Sequence, residues 1–137
     1  MPVARRVEDL LVWQIARELH LAVYRATNHP PSSRDFKFTA QIRDASESVV
    51  RNVAEGFGRY NPPVFAQFLD HSRASAEETR TLLRKGLDAG YWDTDEFEDL
   101  NALATRALQS IAKFQRYLRS PTAKRNAAGR YQNVSNG

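Results

Sequence analysis

Four times along this chain of 137 residues, apolar side chains recur at steps of three and four, and each run is closed by proline or glycine. The first, from Val12, Ile15 and Leu19 to Ala26, stops at Asn28-His29-Pro30-Pro31; the second, Phe38, Ile42, Ala45, Val49 and Val53, stops at Gly56-Phe57-Gly58. The third, from Phe65 to Leu87, stops at Gly90, and the fourth, from Phe97 to Leu118, at Ser120-Pro121. That spacing keeps one face of a helix apolar, and proline cannot continue a helical hydrogen-bond ladder. The pattern predicts helices over about 9–27, 33–57, 62–89 and 94–119. Short connections then impose an all-α fold, an antiparallel up-down-up-down four-helix bundle of residues 1–120. Residues 1–8 read as an irregular arm and 121–137, rich in Ala, Asn, Gly and Ser, as a flexible basic tail.

Start signals agree with these boundaries. Ser32 or Ser33 can cap the second helix, with Asp35 in its first turn. Asn61 before Pro62, and Asp93-Thr94-Asp95-Glu96, open the third and fourth.

Beside the apolar face of the second helix runs a polar stripe, Gln41, Ser48, Asn52 and Glu55, interleaved with the small residues Ala45, Ser46, Ala54 and Gly56. Two readings stand open: the stripe faces water, or it docks a neighbouring helix, because a buried unpaired polar group costs about 1–3 kcal/mol. Small residues permit close approach and favour docking, with Asn52 and Glu55 facing Ser72, Ser75 or Thr79 of the third helix. On the first helix a second stripe, Trp13, Arg17, His20, Leu21 and Tyr24, lies next to the core positions. It is either the edge of a wide core contact or a subunit interface built on Trp13, Arg17 and Tyr24, the residue types enriched there.

Charge is polarised along the chain. Net charge is +4, yet residues 88–99 carry six acids and no base, whereas 113–137 carry only bases. Helix-dipole matching explains part of this and leaves the bases beyond the last helix to an anionic partner or a solvated tail. In an even-numbered antiparallel bundle both chain ends reach one pole, so Arg5, Arg6, Arg116, Arg119, Lys124 and Arg125 can form one basic, nucleic-acid-binding surface. Tyr117 and Tyr131 lie among them and are expected to stack on unpaired bases.

Catalytic patterns do not emerge. His20, His29 and His71 lack the Glu-x-x-His spacing of di-iron bundles; Ser72 and Ser75 fall mid-helix; no phosphate-binding glycine loop is present. Zero cysteines exclude disulfides and thiolate metal sites. The expectation is a non-enzymatic protein without cofactor or metal, cytoplasmic, with no leader peptide and no membrane partner.

The run Gln41-Ile42-Arg43, Ser48-Val49 and Asn52-Val53-Ala54-Glu55-Gly56-Phe57-Gly58-Arg59 resembles the signature of the four-helix-bundle family of the 23S ribosomal RNA intervening-sequence protein. Leu11-Val12-Trp13-Gln14-Ile15-Ala16, Phe65 with Phe68-Leu69, and Ser75, Glu78 and Gly90-Tyr91 extend the likeness over about residues 7–119. Asp44 departs from it, since the family usually has a second base after Arg43. The resemblance implies a homo-oligomer, a pentamer as in related retroelement accessory proteins, with RNA and a reverse transcriptase as partners. An alternative function, a protein-interaction scaffold with incidental basic ends, stands beside it.

Overall fold

The computed structural model describes residues 3–125 and 131–133, the side chains of Lys124 and Arg125 excepted. Chain order is β1 (Val3–Ala4), a 3-10 turn at Val7–Asp9, α1 (Leu11–Ala26), a second such turn at Ser32–Arg34, α2 (Phe36–Phe57), α3 (Pro62–Asp88), α4 (Thr94–Leu118), α5 (Pro121–Arg125) and β2 (Tyr131–Gln132). Helices α1 and α3 each pack against both α2 and α4, which is the expected all-α four-helix bundle. No helix among the described residues is long and apolar enough to cross a membrane.

Asn61 and Asp93 cap α3 and α4 as expected: their carboxamide and carboxylate oxygens accept the amide hydrogens of Val64 and Glu96 at 3.1 and 2.8 Å. Helix α2 differs. Its cap is Asp35, whose Oδ1 accepts from the Phe38 amide at 3.1 Å, while Ser32 is fully buried and its hydroxyl turns back to the carbonyls of Ala26 and His29. After Pro31 the chain first completes the 3-10 turn, so helical geometry begins three residues later than the serines suggest. The Tyr91 hydroxyl donates to the other oxygen of Asp35; that bond, then the Phe38 amide, holds the carboxyl below its usual range.

Two apolar clusters fill the bundle. One, at the pole carrying the chain ends, joins Leu10, Val53, Phe57, Phe65, Phe114 and Leu118; the other joins Leu19, Phe38, Ile42, Leu83, Trp92 and Leu100. Helices α2 and α3 are in close contact at Gly56, where an added Cβ would overlap the Phe65 ring and lie 3.0 Å from Phe68 Cβ. Gly86 makes the same kind of approach, to the Trp92 ring.

The polar stripe of α2 is only partly a docking seam. Ser75 Oγ donates to Ser48 Oγ and Ser72 Oγ to the Val49 carbonyl, both at 2.7 Å, so hydroxyls do link α3 to α2. Asn52 stays on its own helix, donating to the Ser48 carbonyl and hydroxyl at 2.8 and 3.1 Å. Gln41 is exposed, and Glu55 is exposed and paired with Arg59 at 3.8 Å. The expectation that Asn52 and Glu55 face α3 is corrected: three residues beyond Asn52, at roughly 100° per residue, Glu55 has rotated away from the core.

The chain ends differ most from expectation. In the described parts of the arm and tail, β1 and β2 pair antiparallel with Ala4 opposite Tyr131, so these segments are docked where an irregular arm and a flexible tail were expected. Residues 1–2, 126–130 and 134–137 of the expected arm and tail lie outside the described residues. Tyr131 is 0% exposed, its ring 5.9, 5.4 and 6.2 Å from those of Phe57, Phe65 and Phe114. An aromatic ring of that size removes roughly 150–250 Å² from water, ample reason for a short segment to dock.

Candidate nucleic-acid interface

Each arginine expected in the basic surface is placed by a neighbour in the core. Ala4 and Leu118 are fully buried in one cluster, so Arg5 and Arg6 after the first, and Arg116 and Arg119 around the second, stand at the same pole. All four are exposed. The backbone of Lys124 and Arg125 continues from this pole in α5, whereas their side chains lie outside the described residues.

The four are not electrostatically equal. Arg6 lies 3.9 Å from Glu8 and 3.6 Å from Asp9, exposed pairs of little energetic weight that still lower its free charge. Among the described residues, Arg5, Arg116 and Arg119 form no ion pair. Asp9 accepts both the Arg6 and Arg5 amides, and these bonds hold its carboxyl below the ordinary range. Arg119 borders a surface depression of about 280 Å³ floored by Pro63, Ala66 and Leu118.

Arg59 was missed by sequence reasoning and belongs here. It follows the end of α2, at the pole where Phe57 meets Tyr131, with its guanidinium 5.1 Å from the Phe68 ring centre. Its position just past Gly58 was the available signal.

Base stacking by the two tyrosines is not supported. Tyr131 is buried, its hydroxyl pushed up to about 12 by burial and by nearby Tyr117, and Tyr117 is half-buried, accepting the Gln132 amide hydrogen at 2.8 Å. Both rings serve packing.

A second surface runs along α1 and α2. Trp13 is half-buried against the core with the Arg17 guanidinium 6.0 Å from its ring centre, and Tyr24 is 43% exposed beneath Arg43, whose guanidinium lies 3.9 Å from the Tyr24 centroid. Arg43 is occupied in joining the helices, donating to Thr27 Oγ1 at 2.8 Å and Asn28 Oδ1 at 2.9 Å. Between them His20 sits 3.0 Å from Ser46 Oγ, its imidazole held below the usual value by burial. The strip leaves Arg17 and part of Tyr24 at the surface.

No curated protein matches the chain. The family model described as 23S rRNA-intervening sequence protein does match, over residues 8–113, a span that takes in the seam, the Gly56 approach and the greater part of all four helices. On that match the chain belongs to the 23S rRNA-intervening sequence protein family.

Proposed function

We propose that this protein is a non-enzymatic, cytoplasmic accessory bundle that assembles with copies of itself and binds RNA through its basic pole. What supports the reading is that Arg5, Arg6, Arg59, Arg116 and Arg119 stand around one end of a domain whose family is described as 23S rRNA-intervening sequence protein. Guanidinium groups on such a surface recognise phosphate without reading sequence. Ribosomal RNA, or the template of a reverse transcriptase, fits that chemistry.

Self-association is assigned to the Trp13, Arg17 and Tyr24 strip, with five subunits implied by the family resemblance. Copies arranged in a ring would pool their basic poles and raise the effective concentration of weak phosphate contacts. Light scattering of the purified chain, with analysis of copurified nucleic acid, tests both halves. The expected result is an oligomer carrying RNA at low salt; a monomer free of nucleic acid, with no affinity for generic single-stranded RNA at low salt, refutes the proposal.

The scaffold reading draws support from one observation: Arg6 and Arg59 are partly neutralised by Asp9, Glu8 and Glu55. Under that reading the oligomer forms and binds protein, and RNA does not compete.

A further inference from the structure

We infer that the carboxy-terminal strap Tyr131–Asn133 builds the basic surface, by fixing the arm that carries Arg5 and Arg6 beside the end of α4 that carries Arg116 and Arg119. The inference rests on the RNA-binding reading for its consequence and on contacts alone for its geometry. Arm and strap lie almost wholly outside the family-matched span 8–113.

The strap touches both sides of the surface. Toward α4, the Gln132 amide donates to the Tyr117 hydroxyl at 2.8 Å, one residue from Arg116. Toward the arm, Ala4 pairs with Tyr131 and Val3 with Gln132. Asn133 then spans the junction of arm and α1: its Oδ1 accepts the Leu11 amide at 2.8 Å and its Nδ2 donates to the Asp9 carbonyl at 2.7 Å.

That last pair replaces a missing cap. The residue before α1 is Leu10, which has no side-chain acceptor, so the first-turn amide of Leu11 is satisfied by a carboxamide 122 residues away in sequence. Asp9, fixed through its carbonyl, uses its carboxylate to hold the Arg5 and Arg6 amides at 3.2 and 3.1 Å. The chain of contacts therefore runs from Tyr117 through the strap to both arginines. A two-residue strand cannot hold itself. Without the strap the 3-10 turn stays anchored by Leu10 and by the Gln14 bond to the Glu8 carbonyl, and Asp9 can still accept the Arg5 and Arg6 amides. Val3 and Ala4, however, lose their strand partner, and Asp9 loses the bond to its carbonyl.

Tyr131 Oη is buried and finds no hydrogen-bond partner among the described residues, so docking of the strap carries the desolvation cost of one hydroxyl.

The test is a double-mutant cycle on the full chain, with Asn133→Ala, which leaves the aromatic cluster whole, and Tyr131→Ala as strap variants. Each is combined with Arg5→Ala/Arg6→Ala and titrated with generic single-stranded RNA across salt. Two phosphate contacts contribute a slope of about 1.4 in log affinity against log salt, or roughly tenfold in affinity at 0.15 M. Each strap variant is expected to lose that amount alone and nothing more once Arg5 and Arg6 are gone. Hydrogen exchange at the Leu11, Arg5 and Arg6 amides, protected in the unaltered chain and released in the variants, reports arm docking independently of RNA. Released amides with unchanged affinity and slope, or losses that add to those of the arginine variant, overturn the inference. If the unaltered chain binds no RNA, the proposed function fails, and exchange alone decides whether the strap positions the arm: release upholds it and retained protection overturns it.

Discussion

Gly56 shows how much one missing atom decides. Its Cα lies against Phe65 and Phe68, where a methyl group would overlap a ring that is itself 0% exposed and flanked by Phe57, Phe114 and Tyr131. Gly56→Ala gains about 1 kcal/mol of helix propensity and loses about 1–3 kcal/mol to overpacking. The net expected in urea unfolding is destabilisation, with Gly86→Ala behaving alike against Trp92. Ser72 and Glu55 give a paired expectation. Ser72→Ala removes a buried bond to Val49 and is expected to cost about 0.5–1.5 kcal/mol, whereas Glu55→Gln, on an exposed side chain, is expected to stay within about 0.5 kcal/mol of the parent. Sequence made Ser72 and Gly56 visible because small residues inside an apolar period have few other uses. It misplaced Glu55 because a stripe at the boundary of a helical face is decided by a few tens of degrees of rotation, which residue type does not encode.

Elements with local causes were legible and those with distant causes were not. The four helices and the caps Asn61 and Asp93 follow from periodicity and from side chains within three residues of the amides they serve. Helix α2 began late because the turn after Pro31 uses Ser32 to close on Ala26, an arrangement no local signal distinguishes from capping. The strap was invisible for a related reason: three residues have no period, and its stabilising partners sit at the opposite end of the chain. Its tyrosine gives the element a pH signature. Folding raises the Tyr131 hydroxyl from 10.0 to about 12, so the folded state favours the protonated phenol. The stabilisation is fully present below pH 10 and is lost as pH rises through 12, at about 1.4 kcal/mol for each pH unit crossed between the two values. Alkaline titration followed by exchange at the Leu11 amide is expected to release the strap in that window, well before the helices. Tyr131→Phe, which removes both the titration and the buried hydroxyl, is expected to hold the strap shut at pH 11 and to be neutral or slightly stabilising at pH 7.

At the scale of the molecule, the antiparallel topology turns a charge bias along the sequence into a difference between poles. Among the described residues, Arg5, Arg6, Arg116 and Arg119 stand at the pole where Ala4, Leu118 and Tyr131 meet, and Asp93, Asp95 and Glu96 open α4 at the other pole. Under the proposed function, the Trp13 strip on the side of the bundle carries assembly, separately from the basic pole. Trp13→Ala with Arg17→Ala is expected to lower the mass seen by light scattering while leaving helical content unchanged, since Arg17 is exposed and Trp13 lies at the margin of the core. The direct test of the basic pole is the salt dependence of single-stranded RNA binding, compared between the unaltered chain and one carrying Arg5→Ala, Arg6→Ala, Arg116→Ala and Arg119→Ala. Each phosphate contact contributes about 0.7 to the slope on a single strand, so removing the four is expected to flatten it by about 2.8. Equal slopes for the two proteins would contradict the assignment of RNA to this pole.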